Sequence, residues 1–372
     1  MEPMRVGVVG TGMISDTFLR NTQGLFSNLE LVAVSARDAD RIAAKAAQFG
    51  IAGHTLEQML DDRSIDLILN LTPVEAHAEV IERALHAGKH VFSEKTLTAD
   101  HTSARRLADL AEARGLRLGC APDTFLGAGV QTAAEAIAEG LIGQPTGFTV
   151  MLNRGLDLLY EFLPFLLRPG AGMGYDFGVY ALTAVLSILG PVAEVSGFVQ
   201  TNRPLRHSIL DRGDTAPTEY EIRNENIMSA VLRLESGVLG TVMFNGDAVF
   251  PEHHYLCIQG TEGLILLPNP NEFGGEVKVV RGLTHPRQLA GATAAEETLP
   301  VHHGYRDESR GLGAAEMAAA IHEDRPHRAS AELSCHIIDV LDGVVASSAS
   351  GRHQTITSTF TVPDRLRGDE RF

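Results

Sequence analysis

The sequence has 372 residues, of which 44% are hydrophobic and 21% charged, and its formal net charge is −16. That length calls for two domains, and the composition is that of a globular chain. The acidic balance argues against nucleic acid and anionic membrane surfaces as partners, because both require a basic face. No apolar run approaches a membrane span, and the opening "MEPMRVGVVG" passes directly into a strand with no signal peptide, which points to the cytoplasm. Cys120, Cys257 and Cys335 are scattered and fit neither a disulfide framework nor a zinc spacing.

The first third alternates strand and helix signals. "RVGVVG" (5–10) is a short apolar strand ending in glycine, and "LELVAVSA" (29–36) is a second. Asp38 caps the helix that follows and Gly50 ends it. Thr55 and Gln58 form a capping-box pattern. "IDLILNLT" (65–72) is the most strand-like run of all, and Pro73 then occupies the first position of a helix that Gly88 closes. "KHVFSE" and "LRLGCA" are two more strands, separated by a helix that begins near Asp100. Strands that alternate with helices in this way form βαβ units with a parallel sheet, and nearly unbroken apolar runs indicate strands covered on both faces.

The rhythm changes near residue 122, which sets the expected boundary between residues 1–122 and 123–372. Helix-like stretches at 128–140 and 177–189 flank the strand "TGFTVML", and five more strand-like runs follow up to "GLILLP". Tight turns at Ser236–Gly237 and in "GTEG" (260–263) predict antiparallel pairing. Helices near 308–323 and 331–350 come last, and the polar, Pro/Arg-rich stretch 201–218 reads as a loop. The expected fold class is therefore α/β, a doubly wound parallel sheet followed by an α+β domain.

"GVVGTGMIS" sets Gly10, Gly12 and Ser15 in a G-x-G-x-x-small frame between a strand and a helix. The first glycine permits the tight turn, the second lets backbone approach a pyrophosphate, and the small third residue lets helix and sheet pack closely. The helix start that carries Met13 and Ile14 adds N–H donors and the positive end of the helix dipole. At the end of the second strand, where an acidic residue holds a free ribose, the sequence reads "VAVSARDAD". Ser35 or Ala36 takes that place with Arg37 beside it, which favours NADP(H). NAD(H) remains the other reading if Asp38 is the ribose ligand.

With "GTGMIS", "NLTPVEAHAEVIERALHAGKHVFSEK", "GYDFGVYAL" and "GTEG" spaced along nearly the whole chain, the sequence resembles the glucose–fructose oxidoreductase and inositol dehydrogenase family, Gfo/Idh/MocA. The resemblance implies a Rossmann domain followed by a domain with a large open, mainly antiparallel sheet whose exposed face makes dimers or tetramers. It also implies an NAD(P)-dependent dehydrogenase or reductase. A hydride would pass between nicotinamide and a secondary hydroxyl or ketone of a small neutral sugar, cyclitol or related polyol.

The family's Glu-Lys-Pro motif matches Glu94-Lys95-Thr96, with the proline replaced. Lys95 would stand between nicotinamide and substrate, with Glu94 near the nicotinamide. An ammonium at the reacting oxygen stabilises developing negative charge. The second motif matches Asp176-Phe177-Gly178-Val179-Tyr180, where residues four apart share a helix face. Asp176 would orient substrate or lysine, Gly178 would let the helix approach the cofactor, and Tyr180 would be the acid–base group, its pKa lowered by Lys95. Asn70, Thr72 and Pro73 would line the path from adenosine to nicotinamide. His77 is taken as structural, and Asp123 is a candidate for reaching the substrate.

The pairs His253–His254 and His302–His303 lack a carboxylate or cysteine spacing, so no metal is expected. The apolar segment "NRGLDLLYEFLPFLLRPGAG" leaves open a dihydrodiol or aldose dehydrogenase with a less polar substrate. A sensor that binds dinucleotide without turnover is the third reading, disfavoured by the joint presence of Lys95, Asp176 and Tyr180.

Overall fold

The computed structural model describes residues 2–208, 219–248, 252–281 and 295–372. Its first lobe contains β1 (Met4–Val9), α1 (Ser15–Gly24), β2 (Leu29–Ser35), α2 (Ala39–Phe49), β3 (Ala52–Gly53), α3 (Leu56–Asp61), β4 (Leu67–Asn70), α4 (Val74–His86), β5 (His90–Ser93), α5 (His101–Ala113) and β6 (Leu118–Cys120). The strands form one parallel sheet in the order β3-β2-β1-β4-β5-β6. The direction of winding reverses between β1 and β4, the crevice where doubly wound folds bind dinucleotides.

Local chemistry sets the helix ends. Asp38 Oδ1 accepts the N–H groups of Asp40 and Arg41, Thr55 and Gln58 close a reciprocal capping box, and Asp100 accepts Ser103 N–H. Pro73 lies one residue earlier than its sequence position suggests. Its ψ of 150° is extended, so it is the cap and Val74 is the first helical residue. Gly88, at φ 77°, turns the chain out of α4.

The second lobe contains α6 (Ala128–Ala138), β7 (Pro145–Asn153), α7 (Asp157–Phe162), α8 (Val179–Leu189), β8 (Val192–Gln200), β9 (Leu205–His207), β10 (Glu219–Glu221), β11 (Ile227–Leu234), β12 (Leu239–Asn245), β13 (His253–Gly260), β14 (Gly263–Leu267), β15 (Lys278–Arg281), β16 (Ala295–Thr298), α9 (Leu312–His322), α10 (Ala331–Ser350) and β17 (Gln354–Thr355). Among the described residues the large sheet runs β16-β15-β14-β13-β7-β12-β11-β8-β17, antiparallel except for the β7–β12 pair. One face packs against α10, whose Ser347 and Ser348 hydroxyls accept the N–H groups of Gly197 and Val199 on β8. On the opposite face Phe198, Val231, Leu239 and Tyr255 stay exposed, Phe198 to 78%.

Part of the stretch read as a loop is ordered sheet. β9 pairs with β10 around a buried Arg206, whose guanidinium donates to Asp157 Oδ1 at 2.8 Å and also pairs with Asp247. Two carboxylates distant in sequence make burial of this cation tolerable, and no local pattern announces them. Residues 209–218 of that stretch lie outside the described residues. The helix expected from 308 begins instead at Leu312, because Gly311 takes the left-handed φ of 100°.

Several ties join the lobes. Cys120 N–H donates to Ala329 O at 3.0 Å, and Asn21 and Asn28 of the first lobe donate to the carbonyls of Arg310 and Ala315. A single apolar cluster extends from Val6 and Phe18 through Phe92 and Phe125 to Val150 and Leu232.

Candidate active site

The glycine loop leaves β1 at Gly10, whose φ of 116° favours glycine and where a Cβ would stand 2.5 Å from Leu71 O. At Gly12 a Cβ would meet nothing within 4 Å, so the backbone borders open space. Ser15 is buried, and its hydroxyl donates to Gly12 O at 2.7 Å, fastening the first turn of α1 to the loop. The residue at the cap of α1 is Ile14, with no side-chain bond to the helix N–H groups, and Met13 is exposed beside it. Free donors at a helix start beside an unobstructed glycine suit a pyrophosphate.

The end of β2 carries a buried Ser35 whose hydroxyl has no partner among the described residues. Arg37 is exposed, with no hydrogen bond or ion pair to any described residue. Asp38, the alternative ribose ligand, has its Oδ1 engaged in capping α2. The exposed guanidinium of Arg37 is the group open to a ribose phosphate, while the Ser35 hydroxyl lies beneath the surface. These residues therefore suit the dinucleotide that the glycine loop implies.

At the end of β4 the polar atoms of Asn70 are committed. It donates to Ser93 Oγ at 3.0 Å and accepts from Thr72 N–H and Thr72 hydroxyl, at 3.3 and 2.7 Å. Asn70 thus shapes the turn from beneath, while Thr72 is half-buried and Pro73 exposed above it. Glu94, after β5, accepts the N–H of Lys95 at 3.0 Å.

Lys95 reaches across to the second lobe although Thr96 replaces the expected proline. Its Nζ donates to Asp176 Oδ1 at 2.5 Å and to Asp176 O at 2.7 Å. Asp176 lies in a π-helical turn, Gly174–Gly178, that runs into α8. Tyr180 follows on α8, and Lys95 Nζ stands 5.4 Å from the centre of its ring. The lysine, aspartate and tyrosine thus meet at the junction of the two lobes.

Burial opposes the Lys95 charge, but Asp176, followed by Tyr180 and Glu94, outweighs it and holds the ammonium above its ordinary pKa. Tyr180 departs from expectation. Burial pushes its phenol above the usual value, against the pull of Lys95 and Arg310. The ammonium already serves Asp176, so it does not turn the tyrosine into a phenolate near neutrality. Gly178 also has a different use: a Cβ there would stand 2.8 Å from the Phe244 ring, so the glycine lets α8 approach β12.

Asp123 does not face outward. It is buried, and its Oδ2 accepts Gly311 N–H at 2.9 Å and Gly313 N–H at 3.0 Å, capping α9 in place of a local side chain. Burial raises this carboxyl to about 6. Of the histidine pairs, His303 is partnered by Glu135 at 3.1 Å and His253–His254 lie on β13, and no cluster among the described residues could hold a metal.

Two cations near Tyr180 were missed in the sequence. Arg310 sits among Tyr180, Glu308 and Asp123 and donates to Asn271 Oδ1 at 2.7 Å. Arg154, at the end of β7, lies over Phe177 at 4.5 Å, and the Phe177 and Tyr180 ring centres are 5.6 Å apart.

Two family models match the chain: "Oxidoreductase family, NAD-binding Rossmann fold" over residues 4–121 and "GFO/IDH/MocA C-terminal domain" over residues 130–266. A dTDP-3,4-didehydro-2,6-dideoxy-alpha-D-glucose 3-reductase of Actinomadura kijaniata is 33% identical over 333 residues, 82% of this chain and 97% of that protein. The chain belongs to the Gfo/Idh/MocA oxidoreductase family. With several relatives the match is partial, and the chain spans about 60% of their length. The reductase of the same name from Streptomyces antibioticus is 33% identical over 217 residues, 56% of this chain, and the chain spans 63% of its length. Among solved structures of the family fold, a levoglucosan dehydrogenase in complex with NADH and L-sorbose superposes with a TM-score of 0.81 at 19% identity, covering 95% of this chain and 99% of that one.

Proposed function

We propose that the protein is an NADP(H)-preferring oxidoreductase acting on a secondary hydroxyl or ketone of a sugar, cyclitol or related polyol. The observation that carries this reading is the convergence of Lys95 and Asp176 on Tyr180 at the end of the dinucleotide crevice. When bound, the nicotinamide would supply or accept the hydride at the substrate carbon. The protein's part is the proton and the charge. Tyr180, kept protonated by burial, donates its hydroxyl proton to the carbonyl oxygen as that carbon is reduced, and takes it back in the reverse reaction. Lys95, held ionised by Asp176, stabilises the negative charge that develops on the same oxygen. Arg37 takes the 2′-phosphate, with Ser35 packed behind it at the end of β2.

A carbohydrate substrate is supported by the names of the two relatives that act on sugars. The less polar alternative stays the second reading: Leu156, Tyr160 and Leu166 of the apolar segment are buried in the core, but Leu158 and Phe162 are exposed. The reading is tested with a panel of sugars, cyclitols and their keto forms, each run with NADPH and NADH and followed by nicotinamide absorbance. Reduction of a keto sugar with NADPH is expected. Tight cofactor binding with no turnover on any member would favour a sensor.

A further inference from the structure

His77 is fully buried on α4 and takes no part in the chemistry above. Its ring is wedged between two backbone carbonyls, with Nδ1 2.7 Å from Thr96 O and Nε2 2.8 Å from Thr72 O. Both partners are acceptors, whereas a neutral imidazole carries one N–H. Burial lowers the pKa of this ring against the pull of the carbonyls of Thr72 and Thr96 and of the Glu94 carboxylate. One hydrogen therefore faces two oxygens, and its location decides which segment is tied down.

The two segments differ in what else holds them. Thr72 is anchored through its N–H and hydroxyl to Asn70, which is itself fixed to Ser93. Thr96 O has no other donor among the described residues. Before Lys95 the turn is held by Glu94 N–H, which donates to Asn70 O at 2.8 Å, by Cys120 Sγ, 3.5 Å from Glu94 O, and by Lys95 N–H on Glu94; beyond it, the lysine side chain and the His77 contact at Thr96 O remain.

We propose that His77 is a positioning residue for Lys95: its Nδ1–H donates to Thr96 O and pins the turn so that the ammonium meets Asp176 beside the Tyr180 ring. Nε2 then faces Thr72 O with no hydrogen between them, and the Thr72 segment is held by Asn70 through its N–H and hydroxyl. The proposal rests on the reading of Lys95 as catalytic and deepens it. It gives α4, otherwise a packing helix of the first sheet, a hand in aligning the charge at the reacting oxygen.

Two measurements test it. Nitrogen-15 NMR of the full-length protein with labelled histidine, the His77 signal being assigned by its loss in His77→Asn, should show the Nδ1-protonated neutral tautomer. An Nε2-protonated ring, or a doubly protonated one, overturns the proposal. The second is a pair of amide variants. Asparagine places an N–H donor near the position of Nδ1, and glutamine places one near that of Nε2. His77→Asn should keep kcat within a few-fold, while His77→Gln should lose about tenfold or more of kcat with its NADP(H) Kd unchanged. In a Lys95→Met background the glutamine change should add no further loss. Equal impairment of the two variants with a matching drop in Tm would make His77 a core residue and nothing more. Should Lys95→Met itself keep full turnover, the reading of Lys95 fails, and the tautomer still reports on His77 separately.

Discussion

Lys95 donates twice to one residue, through Nζ to the carboxylate Oδ1 and to the backbone carbonyl of Asp176. The double bond to a single partner locks the lysine against the π-helical turn from which Tyr180 follows, so the two lobes contribute to one charge-paired centre. Lys95→Met keeps the stem and removes the charge. Turnover on the true substrate should fall by about 10²–10³, the scale of losing a donor to a developing oxyanion. The NADP(H) dissociation constant should change little. Near-normal kcat would remove Lys95 from the reacting centre.

Tyr180→Phe preserves the ring and its contact with Lys95 while removing the only proton the residue can give. A loss of about 10²–10⁴ in kcat is expected, the usual contribution of a general acid. Because burial raises the phenol, any ionisation that Tyr180 contributes to the pH–rate profile should lie above the ordinary tyrosine value near 10, with a flat profile across neutrality. A tyrosine-dependent limb at pH 7–8 would show that the phenolate is reached in the cofactor complex.

Arg37→Ala should weaken NADP(H) binding roughly tenfold to a hundredfold, the range for removing a charged hydrogen-bond partner, and leave NAD(H) nearly unchanged. Isothermal titration with both cofactors decides it. Tighter NAD(H) than NADP(H) binding by the unaltered protein would transfer the ribose to Asp38 or another group.

The open sheet face predicts self-association. Phe198, Ser229, Met243, Met151 and Tyr255 form one cross-strand row, and Val231 lies on the next row. An apolar row of this extent is typical of an interface. Light scattering at micromolar concentration should report a dimer or tetramer, and Phe198→Asp with Val231→Asp should reduce it to a monomer. A monomeric unaltered protein would refute this use of the face.

Asp123 gives a pH prediction for stability. Its carboxyl rises from 3.8 to about 6 in the folded protein, mainly through burial. The native state therefore holds this proton more tightly than the unfolded chain. The group's contribution is fully present below about pH 4 and is lost as pH climbs through about 6. Asp123→Asn accepts the same two N–H bonds without the charge. Its stability relative to the parent should grow between about pH 4 and 6.5 and then level off, by at most about 3 kcal/mol for a two-unit shift. Urea denaturation at a series of pH values measures it, and a gap independent of pH would contradict the buried titration.

Asp38, Thr55 and Asp100 were readable as helix starts because a cap and the N–H it satisfies are two or three residues apart. The same locality made the glycine loop readable, and ordered motifs along the chain brought Lys95, Asp176 and Tyr180 together. Sequence reasoning failed where the deciding atom is distant. Arg206 is buried only because Asp157 and Asp247 flank it, and Gly178 is required by Phe244, 66 positions later. The pKa of Tyr180 belongs to this class as well. Proximity of a lysine suggested a lowered value, but the balance was set by burial and by the prior claim of Asp176 on that lysine, neither of which a motif records.

The ties between the lobes determine how the protein comes apart. Cys120 bonds to Ala329, Asn21 and Asn28 bond to carbonyls of the second lobe, and one apolar cluster crosses the boundary. A rigid-body hinge between the lobes would have to break these links together. Access to the crevice is thus left to local breathing of its rim, and heat should melt both lobes in a single cooperative calorimetric transition. A substitution at Asn28, far from any reacting atom, would then lower the melting temperature of the whole molecule.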